Sequence, residues 1–213
     1  MLKKFICRDR SDWLKHRAGI GGSDAAAIVG MDPHRSNVEL WRQKTGREKP
    51  KDISGLSYVQ YGIQAEEHVR ELFRLDHPEL RVFYEPNNLW LDTDMDFAHA
   101  SLDGWLEDAD GRNGVLEIKT GSALSQISRG RWEAGIPDNY YCQVLWYLLV
   151  TGWDFVWLRA YLRVRGSTLE MRDYEIERSD PGVEEDIRML EREGKKFWRA
   201  VQEDREPPLK ITM

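Results

Sequence analysis

Asp103, Glu117 and Lys119 are the residues of this chain whose types and spacing best suit chemistry. They lie in the segment SLDGWLEDADGRNGVLEIKT, Ser101 to Thr120. Glu117 and Lys119 stand two positions apart in a run of strand formers, Val115, Leu116 and Ile118. Strand side chains alternate, so both point to one face. Asn113-Gly114 is a turn signal, and the Asp-, Gly- and Asn-rich stretch from Glu107 to Gly114 reads as the connecting loop. For a hairpin centred near Asp110, residues whose numbers sum to 220 face one another, and Asp103 and Glu117 satisfy that sum. Paired side chains sit roughly 4.5–5.5 Å apart at Cβ, where like charges repel. A cation between them removes the penalty, and a one-residue slip of register breaks the pairing. Two acids and a lysine on one face suit a divalent-metal site for phosphodiester hydrolysis.

The triplet alone carries little. A second copy, Glu193-Gly-Lys195, lies in a polar helix-like segment with no strand pattern and no upstream acid, and reads as a solvated face. What distinguishes the first copy is the set of elements around it. A long helix from about Leu56 to Leu75 is expected, with Val59, Ile63, Val69, Leu72 and Phe73 as its apolar stripe. Glu66 falls on that stripe, where a carboxylate is costly unless paired or metal-bound; a rim glutamate paired with an arginine suits the position equally. After the acidic strand, Pro137 to Val150 reads as a helix ended by Gly152. It carries Gln143 and Tyr147 at i, i+4 and Tyr140 at i−3 on one face. Those polar tips could position a phosphate, and an aromatic core helix with one amphipathic edge explains them as well.

Elsewhere, Ser11 to Arg17 predicts a short helix, and Ser23 an N-cap for a helix from Asp24 to Val29 closed by Gly30. Ser36 and Glu39 form a capping-box pattern opening a helix that stops at Gly46. Strands are expected at Arg81–Glu85, Asn88–Leu91, Phe97–Trp105 and Gly114–Thr120, with a closing hairpin at Trp153–Val164 and Leu169–Ile176. Asp180 to Val201 predicts a final amphipathic helix with Val183, Ile187, Leu190, Phe197 and Val201 inward. The order is helices, a mainly antiparallel sheet, then helix and sheet again, an α+β layered domain.

At 213 residues, 41% of them hydrophobic, the chain suits one domain with a real core. MLKKFICRDR lacks the apolar run of a signal peptide, and Val144–Val150 is too short to span a bilayer. Two cysteines, Cys7 and Cys142, suit a reduced setting and are too few for a four-cysteine cluster. A net charge of −6 argues against coating nucleic acid through bulk charge, while leaving a nuclease with clustered carboxylates open. Local basic density occurs near the start, at Arg129 and Arg131, and at Arg159, Arg163 and Arg165.

Six segments in order resemble the YqaJ-type viral recombinase nucleases, relatives of lambda exonuclease within the PD-(D/E)xK superfamily. They are R-x-G-I-G-G-S-D-A-A-A-I-V-G from Arg17 to Gly30, N-V-E-L-W-R-Q-K-T-G from Asn37 to Gly46, G-I-Q-A-E from Gly62 to Glu66, S-L-D-G from Ser101 to Gly104, L-E-I-K-T from Leu116 to Thr120, and Gln143 through Gly152 with a Gln-x-x-x-Tyr pattern. The resemblance covers roughly Trp13 to Gly152. It implies a restriction-endonuclease-like core, a central mixed sheet flanked by helices, in a single nuclease domain over 1–213 whose motif-bearing part is about 13–152 and whose C-terminal hairpin and helix span about 153–204. It implies that Glu66, Asp103, Glu117 and the Ile118 carbonyl hold Mg²⁺, for which Mn²⁺ substitutes. Lys119 orients the attacking water and stabilises phosphate charge, and Gln143 and Tyr147 support the site. Arg17, Ser23 and Ser101 fall where such exonucleases hold a 5′-terminal phosphate. Some members carry a second glutamine two residues after the first; Leu145 stands there in this chain.

The expectation that follows is an exonuclease degrading one strand of linear duplex DNA from the 5′ end. The 3′ overhang would pass to a single-strand annealing partner in phage-type recombination, in the cytoplasm of a bacterial host, with no membrane partner. Relatives form ring trimers, which implies a homotrimer. The alternatives are a restriction-type or structure-specific endonuclease of the same fold, a non-catalytic DNA-end-binding protein, and a hydrolase of small phosphates. A lysine among acids stays charged, which suits electrostatic stabilisation better than a free base.

Overall fold

A computed structural model describes residues 1–164 and 168–210; Arg165, one of the basic residues noted above, lies outside the described residues. The chain runs β1 (Leu2–Ile6), α1 (Arg10–His16), α2 (Gly22–Val29), α3 (Asn37–Lys44), α4 (Ser57–Asp76), β2 (Arg81–Phe83), β3 (Asn88–Asp92), β4 (His99–Ala100), β5 (Gly104–Glu107), β6 (Asn113–Ser122), α5 (Gln126–Ala134), α6 (Asp138–Thr151), β7 (Phe155–Arg163), β8 (Leu169–Glu177) and α7 (Val183–Gln202). The strands make a five-stranded sheet in the order β2-β5-β6-β7-β8 and a three-stranded sheet, β1-β3-β4. This is an α+β fold whose central mixed sheet is flanked by helices.

Alternation along β6 and β7 divides the core. Val115, Val156, Leu158 and Ala160 pack with α2, α6 and α7 on one face. Leu116, Ile118 and Phe155 pack with Val69 and Phe73 of α4 on the other. The β5–β6 register runs Gly104↔Leu116 to Glu107↔Asn113, the sum-220 pairing of the hairpin. No helix among the described residues is long and apolar enough to cross a membrane.

The sheet is mainly antiparallel as expected, with one parallel seam at its centre, where β6 and β7 pair through a crossover that contains α5 and α6. Three expectations are corrected. The expected strand Phe97–Trp105 is broken into β4 and β5, which belong to different sheets. The buried Asn88 side chain takes over the backbone there, accepting from Leu102 N–H at 2.9 Å and donating to Leu102 O at 2.8 Å, so no ladder is needed. In α4, Ile63 and Leu72 are exposed, and the inward face is Val69, Phe73 and the side chain of Arg70. In α7, Val201 is only half-buried, and Ala200 takes the inward place. Helix α5 and strand β1 add elements that the hydrophobic pattern did not announce.

Arg159 on β7 joins α4 to the sheet. Its guanidinium is 2% exposed and reaches Asp173 of β8 at 2.5 and 2.7 Å and Asp76 at the end of α4 at 2.8 Å. Removing one partner of a buried ion pair is strongly destabilising. Arg159→Ala should lower stability by about 3 kcal/mol, measured by urea unfolding.

Candidate active site

Glu117 is the centre of the site. It lies on β6, 1% exposed, on the α6 face of the sheet. Lys119, on the same strand face, places Nζ 2.5 Å from Glu117 Oε1. Gln143 of α6 donates from Nε2 to the same oxygen at 2.7 Å and to the Tyr147 hydroxyl at 2.7 Å. Tyr140, the third residue of that helix face, lies beneath Lys119, whose Nζ is 4.9 Å from the ring centroid. The Gln-Tyr face and the acid-x-lysine strand are thus one hydrogen-bonded cluster.

Asp103 immediately precedes β5, and its Oδ2 accepts the Ile118 N–H at 2.9 Å. The ladder stops at Gly104↔Leu116, so this side-chain bond continues the pairing one step beyond the strand. Two residues not singled out from sequence hold Asp103 in place. Arg70 donates to its carbonyl at 2.6 Å while stacking 3.5 Å over Tyr84, and Asn88 fixes the preceding Leu102. Arg70 lies one helical turn after Glu66, and an arginine on an inward helix face is the signal that could have found it.

The electrostatics follow from crowding. Burial, then Asp103, pushes the Glu117 carboxyl up to about 8. Burial, then Asp103, pushes Glu66 up to about 7. Burial likewise raises Asp103 against the opposing pull of Lys119. Burial opposes the charge on Lys119, but Glu117 and Asp103 outweigh it and raise its pKa. Lys119 is therefore an ammonium.

A second layer comes from the glycine-rich segment before α2. A Cβ on Gly22 would lie 2.4 Å from the Tyr147 ring and 3.1 Å from Gln143 Cγ, so this backbone rests directly on the Gln-Tyr face. The segment is anchored by Lys44, whose Nζ donates to Gly19 O at 2.6 Å and pairs with Asp24 at 2.8 Å. Arg17 is half-buried, with its guanidinium 3.9 Å over the Trp13 ring. Ser101 accepts from Trp13 Nε1 at 3.2 Å and donates to Asn88 O at 2.9 Å. Trp13 thus brings Arg17 and Ser101 together. Ser23 is not the expected N-cap: the cap is Gly21, whose N–H is taken by Asp24 at 3.2 Å, and the exposed Ser23 side chain lies in the first turn.

Two places suit a metal ion. Among the described residues, Cys7, Asp12 and His16 bring one ligand atom each within 4.8 Å of one another, a His/Cys/Asp cluster able to coordinate a metal. Thiol and imidazole favour softer ions such as Zn²⁺. Burial raises the Cys7 thiol, and Asp12 already accepts Arg8 N–H at 3.1 Å, which both oppose loading. The oxygens of Glu66, Asp103 and Glu117 are not gathered within that distance, in keeping with the repulsion that raises Glu66. These three nevertheless fit a hard cation. Their donors are all oxygens, and Glu117 Oε2 is buried without a hydrogen-bond partner.

Solved exonucleases share this fold. An alkaline exonuclease from Laribacter hongkongensis superposes with a TM-score of 0.65 at 20% identity, over 91% of this chain and 93% of that one. Its complex with dAMP gives a TM-score of 0.67 at 18% identity, over 92% and 94%. A phage-related exonuclease from Haemophilus somnus 129PT gives 0.56 at 13% identity, over 87% and 96%. The architecture is that of the PD-(D/E)xK nucleases. Residues 12–154 match the YqaJ-like viral recombinase domain, and the chain belongs to that family. The uncharacterized protein YqaJ of Bacillus subtilis (strain 168) is 31% identical over 200 residues. That match covers 93% of this chain, which spans 58% of the longer relative.

A carboxyl raised by burial keeps its proton in the folded state after the unfolded chain has lost it, so folding stability falls as pH rises between the two values. For Glu117 that window runs from 4.5 to about 8. In the absence of divalent cations, the urea midpoint should therefore decline from pH 5 to 8, and Glu117→Gln should flatten the decline. Cation binding must displace the same protons, so calorimetric Mg²⁺ affinity should rise over pH 6 to 9.

Proposed function

We propose that this chain is a divalent-cation-dependent deoxyribonuclease, and within that class a 5′-to-3′ exonuclease that trims linear duplex DNA to leave 3′ overhangs for recombination. The observation that carries the reading is the buried Glu117: linked to Lys119 and Gln143, adjoining Asp103, and keeping one inward oxygen unpartnered. Membership of a viral recombinase family and a fold held in common with exonucleases support the direction of the assignment. The exonuclease polarity, a trimeric ring and an annealing-protein partner belong to the proposal.

Glu66, Asp103, Glu117 and the Ile118 carbonyl would hold Mg²⁺ or Mn²⁺, which when bound polarises the phosphate and makes hydroxide available near neutral pH. Lys119 stays protonated and stabilises the charge that grows on the phosphate oxygens. Gln143 fixes the Glu117 carboxylate through Oε1, which leaves the other oxygen free for a cation. Arg17, backed by Trp13, offers a guanidinium to a terminal phosphate, with Ser101 beside it and the α2 N-terminus carrying Ser23 next to the Gln-Tyr face.

Purified protein with Mg²⁺ should degrade linear duplex and spare closed circles, with product released from the 5′-labelled end first. Rapid loss of circular DNA would exclude the exonuclease, and loss of neither form over a range of Mg²⁺ and Mn²⁺ would exclude the nuclease. Lys119→Ala should slow cleavage by about 10²-fold or more with duplex affinity within twofold. Lys195→Ala, an exposed residue paired to Glu191 at 2.5 Å on α7, should cut at the wild-type rate. Arg17→Ala should reduce the preference for 5′-phosphorylated over 5′-hydroxyl ends; an unchanged ratio removes Arg17 from the site.

A further inference from the structure

The sheet face that carries α4 holds a groove of about 730 Å³ at the far end of β6. Its walls include Tyr58 and Tyr61 of α4, Thr120 of β6, Tyr161 and Arg163 of β7, and Leu124. In register, Thr120 lies beside Tyr161 and Ser122 beside Arg163. Gly62 seats α4 on this end of the strand, since a Cβ there would lie 2.9 Å from Thr120 Oγ1. The groove adjoins the site through α4, where Gly62, set against Thr120, lies one helical turn before Glu66; the Thr120 side chain itself is on the sheet face opposite Lys119.

Two properties of the walls select an occupant. None of the described lining residues is acidic, although the chain has 37 acidic residues and a net charge of −6. Arg163 is the charged group among the described lining residues, with its guanidinium 5.9 Å from the Tyr61 ring centroid. Tyr58 and Tyr61 are 65% and 43% exposed, large rings held at the surface. Flat aromatic faces beside a cation, in a wall free of carboxylates, complement a polyanion with planar bases. We propose that this groove binds unpaired nucleotides of single-stranded DNA, stacking bases on Tyr58 and Tyr61 and pairing a phosphate with Arg163. The proposal rests on the nuclease reading: the unpaired stretch is the part of the cut strand next to the scissile phosphate.

The test uses the full-length Lys119→Ala protein, so that no cleavage intervenes, and a fluorescein-labelled oligothymidylate followed by anisotropy. Base–aromatic stacking contributes about 1–3 kcal/mol per base. Tyr58→Ala and Tyr61→Ala should each therefore weaken binding by about tenfold, and Tyr61→Phe should restore it to within twofold. Arg163→Gln should lower the salt dependence by about one phosphate contact. Thermal unfolding of the tyrosine variants, both at exposed positions, checks that the fold is intact. Alanine variants that bind as tightly as the parent overturn the groove assignment. A changed sedimentation coefficient with unchanged DNA affinity also overturns it and makes the groove an interface between copies. A parent protein that binds duplex ends but not the oligonucleotide removes the groove alone. A parent that binds neither removes the nuclease reading as well.

Discussion

A carboxylate sealed inside a protein must be given hydrogen bonds or opposite charge, and Glu117 is such a group. Its needs draw in the rest of the site. Lys119 meets it from two positions along the same strand, and Gln143 meets it from the helix that covers that strand. Tyr147 in turn is tied through Gln143. Because β6, α5, α6 and β7 form one continuous crossover, the acid, the lysine and the amide are carried by a single stretch of chain. Glu66 and Asp103 are brought to it from outside, and Arg70 and Asn88 act on backbone around Asp103 rather than on its carboxylate.

This arrangement explains the distribution of charge in the molecule. Positive side chains near the site are each committed to a structural partner on one side: Lys44 to Asp24 and Gly19, Arg70 to the Asp103 carbonyl, Arg17 to the Trp13 ring. His99, beneath Arg17, is buried beside cations and held neutral, its pKa pushed down to about 3 by burial and then by Arg17. A protein of net negative charge thus gathers fixed cations around its acidic cluster without relying on a bulk field.

Much of this was legible in the residues because it depends on local rules. The hairpin register followed from a centre placed near Asp110, and the ladder has the sum-220 pairing; the turn falls at Asp108–Arg112 with Gly111 left-handed, while Asn113 and Gly114, which carried the turn signal, are ladder residues. Ser36 and Glu39 form their reciprocal cap around α3. The Glu193 copy of the triplet lies on the outside of α7, where Glu193 pairs with Lys196 at 2.7 Å, and only its Gly194 faces inward, against Trp146. What escaped depends on contacts distant in sequence. Nothing local to Phe97–Trp105 announces that Asn88 will capture Leu102 and break the strand. The parallel seam between β6 and β7 is decided by where a crossover lands, not by either strand's composition. Along α4, apolar spacing put Ile63 and Leu72 inward, but the residues set against the sheet are Gly62, Val69 and Phe73, and Ile63 and Leu72 are exposed.

The glycines that lead into α2 have a consequence for reading other chains of this kind. Gly19 has no room for a Cβ beside the Phe97 carbonyl, and Gly21 and Gly22 have none beside His99 and Tyr147. The spelling of this segment is therefore dictated by the surfaces it lies against, before any ligand arrives. A chain could exchange one substrate for another and still be obliged to keep these letters. A match to the motif reports a shared architecture; the specificity has to be read from neighbours that are free to vary.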